Sequence, residues 1–228
     1  MARAPARKWD TYFLGAGFSR SVGLPNTAEL LTDVHALAKR EGLVLDDHLR
    51  SAYRYFYPEE AEAATRHCVA QTAGPVYLRL GKAGEPKVHA GTIDFRIGRA
   101  IRVREGGDVT LVSTGGMLMH TMETAQALAK EGISARVLSM HTVKPLDVQA
   151  IRDALTETKA LVSVEEHNVG SGLGAAIAQV VATHEGPRAR FRMYGLPDEH
   201  YDRVGSLAYL RELMGDLRQL VLSALRGK

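Results

Sequence analysis

From residue 109 onward, short β-rich runs alternate with stretches of helical period, and this rhythm constrains the fold more than any other feature of the chain. The runs are "VTLVST" (109–114), "SARVLSM" (134–140), "ALVSVEE" (160–166) and "ARFRMYG" (189–195). After the first, Leu118, Met122, Ala125 and Leu128 fall on one helical face, and Gly132 ends the helix. Asp147 is placed to cap a second helix with Val148, Ile151 and Leu155 turned inward. A Gly-rich turn opens a third, with Leu173, Ala176, Ile177, Val180 and Val181 on one side. The tail from Ser206 repeats Leu210, Leu213, Leu217, Leu220, Val221 and Leu225 as one helix, or two split near Gly215. Strands and helices in this order predict an α/β fold: a mostly parallel open sheet, right-handed crossovers and helices on both faces. The alternating run 189–195 reads as an edge strand.

The rest of the chain lacks this rhythm. Residues 58–74 read as a helix and 76–80 as a strand that needs neighbours. A turn-rich connector with two short strands at most follows, up to Asp108. Before Pro58 lie one strand (11–14), a Gly-rich loop, a helix at 27–40 and another at 47–57; Asn26 and Glu29 form a capping box. One strand and two helices make an incomplete α/β unit.

Composition narrows the function classes. A net charge of +3, spread along the chain, demands neither a nucleic-acid nor a membrane partner. The single cysteine, Cys68, excludes an internal disulfide framework and a multi-cysteine metal site, and fits a reducing cytoplasm. It shares a helix stripe with Ala61 and Ala64, as a packing residue would. "MARAPARK" leads into no apolar stretch, so it reads as a frayed terminus rather than a secretory signal. No apolar run is long enough to span a membrane. No spacing of His, Asp and Glu suggests a metal site, and no residue is assigned a catalytic role.

Two glycine-rich loops invite a nucleotide reading. In "FLGAGFS", Gly15 and Gly17 would bring backbone N–H groups to a diphosphate and Ser19 would donate a hydrogen bond, as in an NAD loop. A helix N-terminus gives a nearby anion only ~0.3–1 kcal/mol. Micromolar binding needs about −8 kcal/mol, so NAD is not expected to bind. "GSGLGA" (170–175) fits G-x-G-x-x-A after a strand, but Arg190 and Arg192 stand where an acidic ribose partner is wanted. It reads as a turn that packs a helix closely on the sheet. Glu165, Glu166 and His167 end the third run, where acid–base chemistry or inter-domain hydrogen bonds are both open readings. His120 and His141 are lone histidines with structural roles expected.

Residues from about 60 to the C-terminus resemble the C-terminal part of the transketolase family of thiamine-diphosphate enzymes. The resemblance is carried by "EAATRHCVAQTAGPVYLRLGK", "GGDVTLVSTGGM", "GISARVLSMHTVKPLD", "LVSVEEHNVGSGLGAAIAQV" and "YGLPDEHYDRVGS". It implies that 58–82 closes a pyrimidine-binding domain, 83–107 is a linker and 108–228 is the C-terminal domain, whose family role is mainly subunit assembly. It also implies thiamine diphosphate and magnesium as the family's cofactors, held by a Gly-Asp-Gly motif that occurs nowhere in this sequence. The segment before Pro58 resembles instead the first loop of sirtuin-like (SIR2-like) domains, truncated at 57. The expected protein is a C-terminal subunit or fragment, inactive alone, that helps assemble a ketol-transfer enzyme with an N-terminal transketolase chain, and that forms a homodimer in one variant of the reading. The alternatives are a small NAD-binding module and a non-functional fusion.

Overall fold

The computed structural model describes residues 63, 64, 67, 76–79, 86–89, 92–202 and 204–227. The readings made for residues 1–57, including Gly15, Gly17 and Ser19, and that of Cys68 lie outside the described residues. The chain divides into two compact units, Met1–Phe95 and Arg96–Lys228. In the first, Ala64 is buried and the rings of His67 and Phe95 meet edge-on with centroids 5.7 Å apart.

The second unit is built on one five-stranded sheet. Its strands are β1 (Ile101–Arg104), β2 (Val109–Ser113), β3 (Ala135–Ser139), β4 (Ala160–Asn168) and β5 (Arg190–Leu196). Their spatial order is β1-β3-β2-β4-β5. β2 pairs in parallel with β3 and with β4, and β4 in parallel with β5; β1 alone runs antiparallel, against β3. The α/β class and the edge position of β5 therefore stand as the sequence indicates. β1 falls in the stretch read as a linker. Its four residues, Ile-Arg-Val-Arg, are only partly covered at an edge, so they carry little apolar signal. β2 and β3, by contrast, are buried at every position, as strands covered on both faces must be.

The helices are α1 (Leu118–Lys130), α2 (Val148–Glu157), α3 (Gly172–Ala182), α4 (Leu207–Glu212) and α5 (Leu217–Arg226). α1 and α5 pack together on one side of the sheet, α2 and α3 on the other. On the α2/α3 side, Val112, Leu138, Met140 and Leu161 meet Ile151, Leu155, Leu173 and Ile177. Each such side chain contributes about 1.5–3 kcal/mol when fully buried. Asp147 caps α2 as expected, accepting the Ala150 N–H at 3.0 Å, and its other oxygen accepts the Ala100 N–H at 2.8 Å. One carboxylate thus fastens α2 to the chain entering β1. Val148, expected inside, is 37% exposed; the buried stripe of α2 begins one turn later, at Ile151. The tail is two helices, with Gly215 between them at φ +79°.

The connections decide where a site can lie. β2 leads through α1 toward the β3 side, whereas β4 leads through α3 toward the β5 side. Direction and face reverse together, so all crossovers keep one hand, as the right-handed rule demands. Between the C-terminal ends of β2 and β4 lies the topological switch point, where open α/β sheets place their binding groups.

Candidate functional site

Glu165, near the end of β4, is 1% exposed. Its Oε2 accepts the Leu173 N–H at 2.8 Å and its Oε1 the Gly174 N–H at 2.6 Å. These are the free amides of the first turn of α3, the group that binds phosphate in dinucleotide folds. Here the anion is the chain's own. The glycines permit the approach. Gly172 has φ +77°, and a Cβ there would lie 2.2 Å from Glu165 Oε2. A Cβ on Gly174 would lie 3.0 Å from Glu165 Oε1, Met193 Sδ and Ser163 Oγ. "GSGLGA" is therefore a close-packing turn whose helix end is already filled. With both oxygens engaged by helix amides, Glu165 is a structural anchor rather than a general base.

Of the other two residues in the strand-end cluster, His167 stays beside Glu165 while Glu166 turns away. His167 Nδ1 stands 3.6 Å from Glu165 Oε2, with the ring 45% exposed. Glu166 pairs with Arg211 of α4: Arg211 Nε donates to Glu166 Oε1 at 2.6 Å, and the guanidinium also donates to the Gly116 carbonyl at 3.1 Å. Arg211 thereby bridges the two lips of the switch point, the end of β4 and the turn after β2. Asn168 donates to Asp198 Oδ1 at 2.7 Å, and its own Oδ1 accepts the Gly170 N–H at 2.7 Å. Glu165 and His167 sit together while Glu166 faces Arg211, so the three do not form one centre. Sequence reasoning missed Arg211 and Asp198, because their partners lie 45 and 30 residues away.

On the α1/α5 side, His120 of α1 stacks on Tyr194 of β5, with centroids 6.1 Å apart. Burial holds the imidazole pKa below its ordinary value; Glu123 opposes the shift and Arg211 adds to it. His120 Nε2 is buried with no hydrogen-bond partner among the described residues. Tyr194 donates its hydroxyl to the Gly215 carbonyl at 2.8 Å, and burial raises its pKa, so it stays a donor. Beside β5 runs an open groove of about 540 Å³ lined by Met193, Gly195, Pro197, Met214, Asp216 and Leu220, among others. His141 Nδ1 lies 2.8 Å from Thr142 Oγ1, a local contact.

Sheet order and switch point define a doubly wound α/β domain with one antiparallel edge strand. The family model described as "Transketolase, C-terminal domain" matches residues 98–212, and the chain belongs to the transketolase family through that domain. It is 38% identical over 127 residues to an apulose-4-phosphate transketolase subunit of Phocaeicola vulgatus, covering 55% of this chain and 40% of that one. It is 30% identical over 178 residues to the transketolase of Rattus norvegicus, covering 75% of this chain and 28% of the other. Among solved structures, "Split gene transketolase, inactive beta4 tetramer" superposes with a TM-score of 0.65 at 36% identity, covering 75% of this chain and 56% of that one. The chain spans less than half the length of these curated relatives.

The described residues do not fit the family's cofactor. No group of three or more His, Cys, Asp or Glu among them is placed to hold a metal ion, and the amides opening α3 are taken by Glu165. Among the described residues no helix is long and apolar enough to cross a membrane.

Proposed function

We propose that this chain is the C-terminal section of a transketolase-type enzyme, that it serves in assembly, and that a separate chain supplies the thiamine diphosphate site. One observation carries the reading: the matched domain folds as its own compact unit, yet the sequence holds no Gly-Asp-Gly motif and the switch point is bridged by the Arg211–Glu166 ion pair. The Phocaeicola relative is named as one subunit of a transketolase, which supports a division of labour between chains. Ketol transfer tests it. The purified chain with thiamine diphosphate and magnesium is expected to be inactive, and to become active when mixed with a transketolase chain carrying the Gly-Asp-Gly motif. Activity of the chain alone overturns the proposal.

The loop at Gly15, Gly17 and Ser19 supports a second reading, a small NAD-binding module. Calorimetry with NAD on the wild type and Gly17→Val decides it: heat that Gly17→Val abolishes establishes the module, and no heat with either protein removes it.

A further inference from the structure

Between buried Tyr194 of β5 and buried Leu217 of α5, the chain crosses the C-terminal edge of the sheet, and none of the described side chains in 197–213 is buried. Two polar clasps hold this segment to β4. Asp198 accepts from Asn168 near one end, and Arg211 binds Glu166 near the other. Arg211 also reaches the Gly116 carbonyl, so the second clasp closes the gap between β2 and β4. Two bonds inside the segment are local: Tyr201 donates to the Pro197 carbonyl at 3.1 Å, and Ser206 caps α4 through the Tyr209 N–H at 3.3 Å.

A segment held to the sheet by one hydrogen bond and one ion pair, with no buried side chain among its described residues, opens at a small fraction of the global unfolding free energy. The clasp at Glu166 is itself partly wet, with 30% and 27% of the two side chains exposed, which limits its strength. We propose that 197–213 is a strap hinged at the ends of β5 and α5. Release of Arg211 from Glu166 opens it and uncovers the switch-point crevice: the Glu166 carboxylate, the Gly116 carbonyl and the first turn of α1. The crevice is thus gated by one guanidinium. This holds whether or not the assembly reading does, because it concerns the isolated chain.

Amide hydrogen exchange on the purified full-length chain tests it. Arg211→Ala is expected to speed exchange about tenfold across 205–214 and 115–118, leaving β2, β4 and α5 unchanged. Glu166→Gln, which keeps the side chain's shape, should give a smaller rise in the same two segments, and it decides the matter if Arg211→Ala fails to fold. Unchanged exchange in both segments overturns the proposal. So does a uniform rise over the whole sheet, which would make Arg211 a general stability residue rather than a latch.

Discussion

Glu165 illustrates how much one side chain can settle. Its carboxylate is buried and accepts two backbone amides. A hydrogen bond to a charged group contributes about 1.5–3 kcal/mol. Glu165→Ala should therefore destabilise the domain by about 2–4 kcal/mol in urea unfolding, because two amides of α3 lose their acceptor. Glu165→Gln, with one acceptor oxygen left, should lose roughly half as much. An unchanged midpoint for the alanine variant would remove the anchor role. His120 gives a pH-dependent counterpart. Its folded pKa is depressed by burial, so the unfolded chain takes up the proton more readily. Its contribution is full above the ordinary histidine value of about 6.5 and is lost as pH falls through the depressed folded value. Unfolding midpoints should fall on acidification below about pH 6.5, and His120→Phe, which keeps the stack on Tyr194, should flatten that decline. An identical profile in the variant would place the pH dependence elsewhere.

At the scale of elements, the interior of the sheet and its β5 edge were legible and its β1 edge was not. β2, β3 and β4 are rich in apolar residues over five or more positions and announce themselves. β1 is short, half-covered and arginine-bearing, so its place is set by tertiary contacts, among them the Asp147 oxygen that receives the Ala100 N–H. Asp147→Ala removes a helix cap together with that tie. The expected cost is about 1–2 kcal/mol, with faster amide exchange at Ala100 and along β1 as the distinguishing sign. A loss of stability without faster exchange in β1 would confine Asp147 to its capping role. The same limit hid the strap. Helical period located a helical tail from Ser206 with a break near Gly215 as one of two readings, but nothing local announces that Arg211 reaches across to β4.

Over the whole molecule, fold class was written in the order of runs and helices from 109 onward, because burial of both sheet faces forces apolar residues into recognisable periods, while the family came from the resemblance carried by blocks such as "VTLVSTGGM" and "VSVEEHNVGSGLG". The candidate site was only half written. The sequence placed Glu165, Glu166 and His167 at a strand end but could not say that Glu165 would take the α3 amides with His167 beside it while Glu166 turned to Arg211. Three-dimensional closure, not motif, made that choice.

The filled turn at the head of α3 bears on how such sequences are scanned. "GSGLGA" satisfies a dinucleotide fingerprint, yet Glu165, seven positions ahead of Gly172, has already claimed the amides that fingerprint is meant to advertise. An acidic residue at that offset, on the strand that feeds the loop, is a textual marker of prior occupancy. In chains of this architecture it lets a false nucleotide assignment be struck out before any ligand is tried.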